Sequence, residues 1–369
     1  MCLQATTPHQ GRILHRIRRQ TVGPKKTNSE TFLPLLILMS TDENLIASIQ
    51  KILIERSKRS IELSKQAVIA EKIDYEPLRE ALRYFMEEIW VDASHPALLS
   101  LACEAVGGNP GQTDEIGAAL VLLAGAADIH DDIIDQSDIK DSKQTIFGKY
   151  GKDIAIIAGD VLWFKGMLMM SQSCEALSSK KRDSILNLAK QAFFDIGSAE
   201  AHEAHLRGNL NISPGEYLDI IKHKVSVAAV AAQIGAILGD GDPARIEGLK
   251  EYGKTLGILM TIRDEFVDMF ELEELKNRYK NECLPLPMLY AFRDASLKSQ
   301  ILAKLEQGQM TETELEKLLE LIVNSDEVHE LVREMETSIQ KTSAELTFIT
   351  KNREIFVNLL KSSIEDLLT

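Results

Sequence analysis

Residues 116–135, IGAALVLLAGAADIHDDIID, decide the fold. The stretch holds no proline, begins as an apolar Ala/Leu/Val run and ends in acids, a composition that favours a helix over a strand. On that helix Asp128, Asp131, Asp132 and Asp135 recur at i, i+3, i+4 and i+7 and share one face. Like charges at this spacing repel. The turns before them, from Leu120 to Ala127, are too apolar for a merely solvated surface helix, so something must compensate the charge. A hard divalent cation is the natural candidate.

A second copy of the pattern lies further along, where TIRDEFVDMFE (residues 261–271) closes an apolar helix containing Leu256, Ile258, Leu259 and Met260. Asp264 and Asp268 stand one turn apart, with Glu265 beside them and Glu271 a turn further on. Two such ladders on facing helices form a funnel of carboxylates. Such a funnel suits several Mg²⁺ ions, which keep their waters and bridge to substrate phosphates instead of sitting in all-protein cages.

The rest of the chain agrees with an all-α reading. No proline lies between Gly111 and Ser213 or after Met288, and helix starts are signalled by Ser213-Pro214-Gly215-Glu216, by Asp242-Pro243 and by Thr311 with Glu314. The pattern predicts helices over 43–70, 76–90, 96–107, 114–136, 150–175, 179–206, 214–239, 243–272, 284–306, 311–323 and 326–368. No Gly-, Ser- or Pro-rich linker divides them, which predicts one helical domain.

With 369 residues the chain buries a large core without disulfide or metal staples. A net charge of −14 argues against nucleic acid as a partner. The four cysteines form no C-x-x-C pair, so a reducing, cytoplasmic setting is expected. The longest uncharged apolar runs fall short of the roughly 20 residues a spanning helix needs, which predicts no transmembrane segment. Residues 1–38 stand apart, with six basic side chains and the single acid Glu30. A targeting segment has such a charge, but the apolar part here, FLPLLIL over 32–38, is short and broken by Pro34. The expectation is a disordered or extended N-terminal segment over 1–38 and a folded helical domain over 39–369.

In order and spacing, a set of motifs resembles the trans-prenyl diphosphate synthases, which share the class I isoprenoid synthase fold; the resemblance implies a large single-domain all-α bundle around a central substrate cavity. The motifs are HDDIID (Asp131, Asp132, Asp135), GKDIAIIAGDVL (Gly159, Asp160), IIKHKVSVAA (Lys224), IRDEFVDMF in place of a second D-D-x-x-D, and LPLPMLYAF near the end; together they cover residues 90–295. The resemblance implies that Asp131, Asp132, Asp135, Asp264 and Asp268 hold Mg²⁺ on the diphosphate of an allylic prenyl substrate, whose C–O bond ionises to an allylic cation. It also implies that Lys224 steadies that diphosphate, that Lys140 serves the same group, and that the protein is a homodimer or pairs with another prenyl synthase. His130 is expected to pack beside the acids and not to bind metal. Ala126 and Ala127, a turn before the first acid, are expected at the floor of the prenyl pocket, where small side chains leave depth for a long tail.

The chain also departs from that family. Where G-G-K-R-x-R-P usually holds a second, metal-free diphosphate, this chain reads Trp90-Val91-Asp92-Ala93-Ser94-His95-Pro96. Arg-Arg-Gly after the first ladder is Lys140-Asp141-Ser142, a usual histidine is Ala124, Phe-Gln before the second ladder is Met260-Thr261, and Gly-Lys-x-Thr is Lys280-Asn281-Glu282-Cys283. The expected function is Mg²⁺-dependent prenyl transfer from an allylic diphosphate. The alternatives are a terpene synthase-like lyase that needs no isopentenyl diphosphate, or a non-catalytic subunit of a heteromeric synthase.

Overall fold

Helix boundaries follow local capping chemistry wherever it is present. In the computed structural model, which describes residues 43–90, 92–140, 143–306, 311–349 and 351–364, Ser213 accepts the N–H of Glu216 at 3.1 Å and Asp242 that of Arg245 at 3.0 Å. Thr311 and Glu314 form a reciprocal capping box. The N-terminal segment 1–38 lies outside the described residues, as do Val91, Asp141 and Ser142.

The helices are α1 (Glu43–Ile69), α2 (Glu76–Tyr84), α3 (Ser94–Ala105), α4 (Asp114–Ile134), α5 (Ile146–Tyr150), α6 (Lys152–Ser173), α7 (Ser179–Leu206), α8 (Pro214–Lys224), α9 (Ser226–Leu238), α10 (Pro243–Met269), α11 (Leu272–Asn281), α12 (Leu286–Ala291), α13 (Ala295–Glu306), α14 (Glu312–Val323), α15 (Asp326–Glu345) and α16 (Arg353–Ser362). Strands β1 (Ile139–Lys140) and β2 (Lys143–Gln144) form a small antiparallel hairpin after α4. The all-α expectation holds apart from this hairpin. Helix α4 packs on α6, α1 and α3, while α9 packs on α3, α10 and α7. At Gly235 the backbones of α9 and α3 approach so closely that a Cβ would lie 2.2 Å from the carbonyl oxygen of Leu99.

Several long predicted helices are broken. The helix expected over 76–90 stops at Tyr84 and gives way to a wide π turn over Phe85–Ile89. There Phe85 and Trp90 stack at 5.5 Å, Trp90 Nε1 donates to the Val121 carbonyl, and Gly125 leaves the rings room. Gly151, at φ +81°, separates α5 from α6. The stretch read as 214–239 divides at Val225, which places Lys224 at the end of α8. The stretch read as 284–306 divides into α12 and α13, Asn352 at φ +60° precedes α16 inside the stretch read as 326–368, and α11 lies where no helix is predicted.

By length and composition, residues 152–173 and 214–238 could each cross a membrane, although neither is an uncharged run. The second lies mostly inside the fold, whereas α6 is one-third buried and exposes Ile157, Phe164 and Leu168.

Candidate active site

The acids in the C-terminal turns of α4 and α10 are linked through side chains of α7, α8 and α11. The four acids of α4 divide into two adjacent i, i+4 rows and not one. Asp128 and Asp132 face the hairpin, with Lys140 Nζ 2.6 Å from Asp128 Oδ1 and 3.8 Å from Asp132 Oδ1. Asp131 faces Lys224, whose Nζ stands 3.9 Å from Asp131 Oδ1, 3.0 Å from Glu200 Oε1 and 2.7 Å from Glu203 Oε2. The break at Val225 sets this lysine among three carboxylates.

A continuous polar chain then runs to the second ladder. Glu203 accepts a contact from Tyr217 Oη at 3.0 Å; the same hydroxyl lies 2.7 Å from Glu265 and receives Arg278 Nη2 at 2.8 Å. Arg278 Nη1 donates to Asp268 Oδ2 at 2.7 Å, and Arg278 also pairs with Glu265 at 3.1 Å and Glu282 at 3.6 Å. Arg263 stands 3.5 Å from Asp264. Two contacts fix α11 against the end of α4: Asn277 donates to the Asp135 carbonyl, and Arg207 donates to those of Ile134 and Asn281. The carboxylates of α4 and α10 are thus joined through a few side chains.

The electrostatics show how crowded with negative charge this end is. Burial, and then neighbouring acids, push Asp135 and Glu200 up to about 9. Burial is likewise the main cause for Asp132 and Glu282 at about 8 and for Asp264 and Glu274 at about 7. Asp131 departs in the other direction: burial opposes its charge, but Lys224 and then Lys140 hold its carboxyl below the usual range. Its Oδ1 is buried and makes no hydrogen bond. Among the described residues no three acids, histidines or cysteines form a ready-made metal cage. A donor set of scattered carboxylates, one with a buried oxygen that makes no hydrogen bond, fits a hydrated Mg²⁺ that draws its remaining ligands from water and phosphate.

The other expected residues take varied places. Glu265 turns inward and accepts the Leu286 N–H at 2.6 Å, so it braces the second ladder from behind. His130 packs over Gly159, where a Cβ would meet its ring, and stands 3.4 Å from Asp160. Ala126 is buried in the cluster with Phe85, Trp90 and Leu122, and Ala127 is half-buried. Sequence reasoning missed Glu200, Glu203, Tyr217, Glu274 and Arg278. Only Glu200 and Glu203 left a signal, two acids one turn apart near the end of a long helix.

Comparison with known proteins bears on the family and the fold. Over 238 residues, 63% of the chain, it is 28% identical to a short chain isoprenyl diphosphate synthase of Methanothermobacter thermautotrophicus, 68% of which is covered. It is 27% identical to heptaprenyl diphosphate synthase component 2 of Bacillus subtilis over 64% of the chain and 68% of that protein. Curated relatives are matched over between 46% and 73% of their own length. The fold is that of a geranylgeranyl pyrophosphate synthetase from Geoglobus acetivorans, with a TM-score of 0.74 at 21% identity, covering 85% of this chain and 99% of that one. The polyprenyl synthetase family model matches residues 91–322, and the chain belongs to that family.

Proposed function

We propose that the protein is a Mg²⁺-dependent prenyltransferase that ionises an allylic prenyl diphosphate at the mouth between α4 and α10. The polar chain from Asp131 through Lys224 and Tyr217 to Asp268 carries this reading, because it joins both acid ladders in one site. Asp131, Asp132, Asp135, Asp264 and Asp268 would hold the metal. Bound there, Mg²⁺ supplies Lewis-acid withdrawal of charge from the leaving diphosphate. Lys224 and Lys140, drawn towards the α4 acids in the free protein, turn to the diphosphate oxygens as compact point charges when it enters. The prenyl tail descends into the apolar interior, which keeps water from the cation.

For the tail, Ala127→Phe is expected to shorten the accepted substrate, read as relative kcat/KM across allylic diphosphates of ten, fifteen and twenty carbons. An unchanged preference counts against a floor at Ala127.

The exposed apolar face of α6 and α7 is read as a dimer interface. Phe164 and Phe194 are 67% and 61% exposed, and Trp163 packs on Phe193 at 5.0 Å between ring centres. A second copy of the chain covers it in this reading, with a related prenyl synthase as the alternative partner. The buried thiols Cys103, Cys174 and Cys283 are free, in keeping with a reducing compartment such as the cytoplasm.

The test is purified protein with Mg²⁺ and a labelled allylic diphosphate. Metal-dependent release of inorganic diphosphate supports the proposal. Failure to bind or cleave the substrate, even when a second synthase is added, rejects it.

A further inference from the structure

Where α4, α7 and α11 end, one arginine joins all three. Arg207, the first residue after α7, donates Nη2 to the Ile134 carbonyl at 2.5 Å and Nε to the Asn281 carbonyl. Ile134 is the last residue of α4 and Asn281 the last of α11. Gly208, at φ +70°, turns the chain away at once, and its N–H donates to the Glu282 carbonyl at 3.3 Å. Asn277 reaches the same junction from α11, with Nδ2 3.3 Å from the Asp135 carbonyl and 3.4 Å from Ser137 Oγ. Asn281 Nδ2 in turn holds Asn277 Oδ1 at 2.7 Å.

The end of α4 needs these donors. The last carbonyls of a helix lack partners within it and form its negative pole. Those of Asp131 and Asp132 accept the N–H groups of Asp135 and Ser137, while those of Ile134 and Asp135 go to Arg207 and Asn277. Asp128, Asp131, Asp132 and Asp135 stand in the last two turns before that pole, so their mutual repulsion and the dipole both loosen the segment that must present them. Other helix ends are held by near neighbours. Asp92, for example, accepts the N–H groups of Ser94 and His95 at the start of α3, each at 3.1 Å, and lies 2.7 Å from His95 Nδ1. The end of α4 borrows its donors from α7 and α11 instead.

Helix α11 carries this junction on to the second acid row. It starts two residues after α10 ends, and Arg278 in its last turn reaches back to Asp268 at 2.7 Å and Glu265 at 3.1 Å. Adjacent residues thus face opposite duties, Asn277 on the end of α4 and Arg278 on the acids of α10. The spacing between the rows passes through Ile134, Arg207, the end of α11, Arg278 and Asp268. A guanidinium suits the first link because its rigid fork aims separate N–H groups at carbonyls of two helices, which a compact ammonium does not.

We propose that Arg207 and Asn277 are positioning residues for metal binding: by pinning the end of α4 to α11 they fix the first acid row relative to the second. The proposal rests on the metal-dependent reading above and adds residues outside the carboxylates that set metal affinity. Both act through backbone carbonyls and not on metal or substrate.

The test titrates the full chain with Mn²⁺ in the presence of inorganic diphosphate, with free Mn²⁺ read by electron paramagnetic resonance well below each variant's melting temperature. Arg207→Met is expected to weaken Mn²⁺ binding about tenfold or more, the usual scale for groups that orient metal ligands. Asn277→Ala should weaken it in the same direction. Because both loosen one junction, their losses should combine to less than the product in the double variant. Arg207→Lys keeps the charge at the helix end and loses the fork, so it should recover little of the affinity; should Arg207→Met fail to fold, this variant and Asn277→Ala decide the matter. Parental Mn²⁺ affinity in the folded variants, even where they melt earlier, overturns the proposal and leaves the metal-dependent reading intact. Full recovery by Arg207→Lys overturns it too, since charge alone then suffices. No Mn²⁺ binding by the parent overturns both.

Discussion

The two acid ladders look alike in sequence and differ in how their charge is neutralised. On α4 the partners are lysines: Lys140 is about half-exposed and Lys224 a quarter exposed, each reaching several carboxylates. On α10 the partners are arginines, with Arg263 and Arg278 both buried and Arg278 gripping Asp268, Glu265 and Glu282 together. Lysine is a flexible point charge that can follow an arriving anion, while a buried guanidinium with several partners is fixed in place. The α4 row is therefore the exchangeable half of the site and the α10 row the preset half.

The sharpest way to dissolve this contrast is Arg278→Met, which leaves Glu265, Asp268 and Glu282 facing one another. Breaking a buried pair by removing one partner costs about 3–5 kcal/mol, so a large fall in denaturant midpoint is expected. A variant as stable as the parent means the second row is not held this way. Asp131→Asn attacks the exchangeable half, and diphosphate release should fall about 10²–10³-fold in kcat/KM, on the scale of losing one group aimed at transition-state charge. Its melting temperature should stay near the parent's, which is the difference from Arg278→Met.

Titration gives a third comparison. Without metal, Asp132, Asp135 and Asp264 keep protons up to about 8, 9 and 7, above the 3.8 of an unperturbed aspartate. The folded state then binds more protons than the unfolded one, so stability falls as pH rises through that window. Melting temperature in EDTA should drop between about pH 5 and 9, and Mg²⁺ should flatten the curve. A rise with pH in EDTA contradicts the charge crowding. The smallest effect belongs to Lys140→Ala. Its half-exposed pair is worth under about 1 kcal/mol in stability, while KM for the allylic diphosphate should rise with kcat little changed.

What could be read in the sequence was what local chemistry determines. The span of α7, the caps at Ser213 and Asp242 and the Thr311 box depend on neighbours a turn away. So did the acid spacing, although the division of the α4 acids into two rows depends on where the hairpin and α8 come to rest. The break at Val225 was invisible because neither glycine nor proline marks it, although the apolar run begins only there, after Lys222-His223-Lys224. Arg278 sat unremarked in the charge-dense stretch LEELKNRYKN, between the predicted helices 243–272 and 284–306, where the absence of an apolar face hid a helix that packs through this arginine onto α10. Asp92 and His95 were noticed only as lost basic residues. Their spacing at a helix start already allowed the contact that the fold makes.

The carboxylate of Asp92 has a consequence for which side chains the start of α3 tolerates. It tethers the opening turn of α3, and the positive end of that helix favours an anion there. Replacing it with lysine removes a tether worth about 1 kcal/mol and puts a cation against the wrong pole of the helix, so that substitution weakens the start of α3 twice over.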